Sequence, residues 1–210
     1  SSDVFDYLFR GRMLAEYGRS PLNTTPAVFK NMPFHRYITW SDWVDAYGPL
    51  WEYASGGVAR LVRLSATPEQ LAVVNNQTCV TQPAVCTYIT RYVTAYRLLA
   101  IVATAICGLL LRQIVPAGHR LATLAAFLGN PLTLISTALG GHNDALMMAF
   151  VLAGIVCLAI AGAWWRSALG LLLLVLAAHV KLTAMIFVPV ALVWLWRRDG
   201  VRRAVMSVAI

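Results

Sequence analysis

Three polar clusters interrupt an otherwise apolar chain. The first is Asp3-Val4-Phe5-Asp6-Tyr7, followed by Arg10 and Arg12. Carboxylates three residues apart share one face if the segment is helical. Beside a membrane-embedded site, such a group acts as general base on an acceptor hydroxyl, and burial raises its pKa for that task. The same spacing also fits an exposed, solvated pair. The second cluster is Gly140-Gly141-His142-Asn143-Asp144. Its glycines permit a tight turn with positive φ, which leaves Asp144 in the first turn of the next helix, where the macrodipole favours an anion. Asn143 and Asp144 are helix caps on one reading. On the other, His142 next to a carboxylate suits proton handling, sugar-hydroxyl binding or a metal. The third cluster is His179-Val180-Lys181, in which Lys181 either meets a phosphate as a point charge, with His179 beside it, or snorkels to lipid headgroups. No HxxxH or CxxC spacing completes a metal site, so none is expected.

The elements that must position these clusters are membrane helices. Hydrophobic residues make up 59% of the 210 and charged residues 12%, against roughly 25% charged in soluble domains. Mean hydropathy is +0.66. The net charge of +8 would suggest nucleic acid in a soluble chain, but here the placement of the bases excludes it. Residues 1–97 hold 9 basic and 7 acidic side chains, whereas 98–210 hold 8 basic and 2 acidic. A span needs ~20 apolar residues. Spans are therefore expected at about 92–113, 121–139 and 145–163, with a longer apolar block over 167–196. Asn130-Pro131 falls inside the second and either breaks its backbone ladder or simply kinks it.

Short loops rich in Lys and Arg stay cytoplasmic. Arg112, Arg120, Arg166, Arg197, Arg198, Arg202 and Arg203 share one side if the block 167–196 enters and returns as re-entrant or paired helices turning near His179-Val180-Lys181. That parity puts residues 1–91 and the His142 cluster outside. The expected fold is an all-α membrane protein, a polytopic helical bundle with a large extracytoplasmic first loop. Within that loop, Asp42–Tyr53 and Gly57–Leu64 suit short interfacial helices that set Trp40, Trp43, Trp51 and Tyr53 at headgroup depth. The division is thus 1–91 loop region and 92–210 transmembrane region, in what reads as a fragment of a longer chain. Cys79 and Cys86 lie in the outer loop, where they are a disulfide or two free thiols. The sequons at Asn23 and Asn76 carry no weight.

In order along the chain, Asp3-Val4-Phe5-Asp6-Tyr7, Gly11-Arg12, Pro21, Tyr47-Gly48-Pro49-Leu50-Trp51, Asn130-Pro131, Gly141-His142-Asn143-Asp144 and Lys181 to Pro189 resemble the GT-C superfamily of integral membrane glycosyltransferases. More narrowly, the pattern is similar to bacterial polyprenyl-phosphate-mannose-dependent mannosyltransferases. The resemblance covers most of the chain with individually short motifs. It implies a catalytic base in the first outer loop, best matched by Asp3 with Asp6 in reserve, and an inverting displacement in which polyprenyl phosphate leaves. It also implies that Arg12 and Lys181 stabilise the leaving phosphate and that loop aromatics, Tyr47 among them, hold sugar or lipid. The family's tyrosine-proline pair appears here as Tyr47-Gly48-Pro49.

The resulting expectation is a cell-membrane, multi-pass transferase with an extracytoplasmic site. It moves a sugar, mannose being favoured, from a lipid-linked donor to a glycolipid or polysaccharide acceptor. Substrate contacts would come from Arg12, Tyr47, His142, Asn143, Asp144, His179 and Lys181. No cofactor is expected, and the part of a divalent cation is open. A transporter or flippase shares the polar intramembrane residues and the broken helix, and in a noncatalytic scaffold Asp144 and Lys181 would be structural.

Overall fold

A computed structural model describes residues 3–32, 34–67, 70, 83–160, 164–201 and 205–206. Among them every regular element is helical. The principal helices are α1 (Asp3–Tyr17), α2 (Pro49–Leu64), α3 (Pro83–Ile114), α4 (Arg120–Leu128), α5 (Pro131–Leu134), α6 (Asp144–Ala159), α7 (Trp164–Val180) and α8 (Phe187–Asp199). Two compact units share them: Ser1–Leu99 with Ala138–His142, and Ala100–Thr137 with Asn143–Ile210.

In the first unit α1 lies against α2 at backbone contact. A Cβ on Gly11 would sit 2.5 Å from the Ser55 carbonyl oxygen, so only glycine lets the helices approach this closely. Around that contact Tyr7, Trp51 and Tyr96 form a buried aromatic group, with the Tyr7 and Trp51 rings edge-to-face at 4.8 Å. The Tyr96 hydroxyl donates to the Tyr7 carbonyl at 2.9 Å, which satisfies the polar end of a wholly buried ring. Helix α2 starts with Pro49 in its first turn, where a missing N–H costs nothing. The expected pair of interfacial helices is therefore corrected: residues 42–48 are turns, and one continuous helix covers the rest. Within the expected loop region, the segment Asp3–Tyr17, whose helical reading was left open, is a helix.

The second unit begins within α3. Ala100, Ala103 and Cys107 pack against Ala145 and Ala149 of α6, small side chains that let helices meet closely. Helices α6 and α7 touch through glycine. A Cβ on Gly154 would come within 2.9 Å of the Gly170 carbonyl. The expected span 121–139 is broken at Asn130-Pro131, where the Asn130 side chain accepts from the Leu132 N–H at 2.8 Å and caps the new helix. The two halves bend by 52°. The block 167–196 is likewise divided, α7 ending at Val180 and α8 starting at Phe187, with Lys181 in extended conformation between them.

One helix among the described residues, Thr87–Ile114 within α3, is long and apolar enough to cross a membrane, with 28 residues and mean hydropathy 1.9. It starts earlier than the expected residue 92. The bent pair Ala117–Leu128 and Pro131–Leu139 is a second if it is one broken span, while α6 and α7 are apolar but shorter. The proposed Cys79–Cys86 pairing lies outside the described residues.

Candidate functional site

The first unit brings two of the sequence clusters together. Asp3 stands in the first turn of α1, and its Oδ2 lies 3.2 Å from His142 Nδ1, with both side chains about one-third exposed, 31% and 28%. His142 is presented there by Gly141, whose φ of +62° is left-handed. A Cβ at Gly141 would contact the Arg97 backbone and the Val4 side chain, both at 3.4 Å, so the turn is pressed against α3 and α1. Arg97 adds a further tie, donating from Nε to the Leu139 carbonyl at 3.1 Å. Its contact with the histidine turn has no signature in local spacing.

Asp6, the second carboxylate, is buried one turn further along α1. Its Oδ1 is 3.9 Å from Arg10 Nε, too long for a hydrogen bond. Burial pushes the Asp6 carboxyl up to about 6, against the pull of Arg10 and with help from the charges of Asp45 and Asp3. Asp45 is raised for the same first reason, burial, again opposed by Arg10. Arg10 turns its Nη2 to two backbone carbonyls, those of Trp40 and Trp43, each at 3.0 Å. Asp3 is thus open and paired with an imidazole, while Asp6 is enclosed and neighbours a guanidinium. Only Asp3 can meet an incoming hydroxyl without rearrangement.

Arg12 is buried in the first unit. Its side chain is 5% exposed and grips Glu16, four residues on, through two bonds of 3.0 and 2.7 Å. Its guanidinium lies over the Phe34 ring at 5.0 Å. Tyr47 stands edge-on to Tyr7 at 5.4 Å, with the two hydroxyls 3.3 Å apart, and its N–H donates to the Asp45 carboxylate at 3.1 Å.

In the second unit Asp144 occupies the first turn of α6 and accepts from Lys181 Nζ at 2.7 Å. Asn143 is the residue before that helix and is buried, but its side chain makes no capping bond there. His179 is exposed, with Nδ1 2.8 Å from the Val175 carbonyl of its own helix. Among the described residues no group of three or more His, Cys, Asp or Glu side chains is placed to hold a metal.

A carboxylate with an imidazole beside it, about one-third exposed at a helix start, is chemically able to take a proton from a hydroxyl. A family model described as alpha-(1->6)-mannopyranosyltransferase, N-terminal domain, matches residues 1–198. No curated protein and no solved structure matches the chain.

Proposed function

This chain belongs to the alpha-(1->6)-mannopyranosyltransferase family by its N-terminal domain, and from that premise we propose a membrane transferase that takes mannose from a polyprenyl-phosphate donor. The family supplies the glycosyltransferase activity and the sugar. The lipid-linked donor, the multi-pass topology and the extracytoplasmic site are part of the proposal, supported by the apolar composition and by the asymmetric placement of basic residues.

The observation that carries the mechanism is the pairing of Asp3 with His142. Asp3 removes the proton from the acceptor's 6-hydroxyl as that oxygen attacks the anomeric carbon of the donor mannose. The bond from that carbon to the phosphate oxygen breaks, and polyprenyl phosphate leaves with the electron pair. Attack from the face opposite the phosphate inverts the anomeric centre. His142 orients the carboxylate toward the acceptor. Lys181, held by Asp144 and 30% exposed, is the cation proposed for the leaving phosphate. The acceptor is a glycolipid or polysaccharide carrying mannose.

Membranes containing the full chain should form an α-(1→6)-linked mannoside from radiolabelled polyprenyl-phosphate mannose and a mannose-ended acceptor. Asp3→Asn should abolish product formation with normal protein level. An active Asp3→Asn enzyme removes Asp3 from the role of base.

A further inference from the structure

Two indoles of the first unit stand in the open. Trp40 is 56% exposed and Trp43 69% exposed, and the exposed Asp42 lies between them. The turn that carries them is tied down by four hydrogen bonds. The buried Arg10 bonds the Trp40 and Trp43 carbonyls. The Ser41 carbonyl accepts from the Ala27 N–H at 2.8 Å, and the Asp45 N–H donates to the Pro21 carbonyl at 2.8 Å. Burying an arginine to fix the backbone of two exposed tryptophans is costly, and Arg10 Nη1 is left without a partner. The return on that arrangement is a preorganised aromatic surface.

Charge chooses the occupant. A turn meant for headgroups of anionic lipid carries Lys or Arg, each worth about 1 kcal/mol at such a surface. Residues 38–48 contain Asp42 and Asp45 and no Lys or Arg. An exposed carboxylate flanked in the sequence by two exposed indoles instead suits a ligand that offers hydroxyl donors on its edge and apolar C–H groups on its face, which describes a pyranose. The clamp also has a direction. Arg10 is seven residues after Asp3 on the same helix, about 10 Å along its axis, so the residue that fixes the turn and the proposed base are carried by one rigid element.

We infer that the Trp40–Trp43 turn seats a pyranose unit of the acceptor glycan, stacked on indole and hydrogen-bonded by Asp42, next to the unit whose hydroxyl meets Asp3. The inference rests on the transferase reading for the identity of its ligand, and it is testable without turnover.

The full chain in lipid nanodiscs is mixed with α-(1→6)-linked mannotriose, with no donor, and saturation transfer to the sugar protons is recorded by NMR. The wild-type protein should transfer saturation to the mannotriose ring protons, and Trp40→Ala/Trp43→Ala should lose that signal. In turnover, the double variant should raise the acceptor KM roughly tenfold, the equivalent of ~1.4 kcal/mol, with the donor KM unchanged. Trp40→Phe/Trp43→Phe should restore most of the affinity. Mannotriose signals that persist in the double alanine variant, or are absent from wild type, overturn the inference. So does quenching of the two indoles by brominated lipid together with an unchanged acceptor KM, the mark of a membrane anchor. Tryptophan-dependent mannotriose binding without use of polyprenyl-phosphate mannose supports the seat and removes the donor assignment alone.

Discussion

The carboxylate of Asp3 and the imidazole of His142 meet at 3.2 Å at the start of α1, and this contact distinguishes Asp3 from Asp6, the other aspartate of that helix. Replacing Asp3 with Asn keeps the size and removes the base. The expected outcome is a fall in kcat of ~10²–10⁴-fold with little change in the acceptor KM, measured by initial rates at saturating donor. His142→Gln keeps a donor near Asp3 and should lose much less, about tenfold. Equal losses for both variants would mean that His142 carries the proton itself.

Asp6 should make the stability of the first unit depend on pH. Its folded pKa is raised from 3.8 to about 6, chiefly by burial. The folded state therefore binds the proton more tightly than the unfolded state does, and the protonated form is the more stable one. The contribution is fully present below pH 4 and is lost as pH rises through about 6, with a magnitude on the order of 2–3 kcal/mol. Melting temperatures of wild type and Asp6→Asn in detergent between pH 4 and pH 7 should diverge with rising pH, the asparagine variant losing less. Parallel curves would place no proton on Asp6 in this range.

Much of this site was legible in the sequence, but as separate pieces. The Asp3 and His142 motifs were each visible from residue type and spacing. Their meeting was not, because it depends on how the α1 start and the Gly141 turn pack against α3, and no periodicity reports that. Arg12 was assigned to phosphate by resemblance. Glu16 stands four residues later, a spacing that pairs charges on a helix, and it explains why the guanidinium is engaged. The break at Asn130-Pro131 was readable because proline and an Asn cap act locally. The helix over Asp3–Tyr17 was read only conditionally, since it packs against several elements at once, Tyr7 on Trp51 and Tyr96 and Phe9 on His35, rather than along a simple amphipathic stripe.

The ion pair of Asp144 and Lys181 should matter more for turnover than for stability. Its side chains are 49% and 30% exposed, and pairs this open contribute ~1 kcal/mol or less. Lys181→Met should therefore shift the melting temperature little while raising the donor KM, because a cation beside the departing phosphate is lost. Lys181→Arg should recover part of the affinity. A large drop in melting temperature with an unchanged donor KM would make the pair structural.

Gly11 offers the sharpest test of the α1 to α2 contact. A methyl group there falls 2.5 Å from the Ser55 carbonyl oxygen and 2.8 Å from its carbonyl carbon. These are backbone atoms of a helix, so no side chain can swing aside to admit it. Gly11→Ala must push α1 off α2, and overpacking of this kind costs ~1–3 kcal/mol. The shift would also loosen the Tyr96 bond to the Tyr7 carbonyl and displace Asp3, which the same helix carries. The variant should melt several degrees lower and lose activity, while Gly57→Ala in α2, where a methyl group meets nothing within 4 Å, should leave both unchanged. If Gly11→Ala melts like wild type, the two helices are not held at this distance, and the placement of Asp3 against His142 loses its main support.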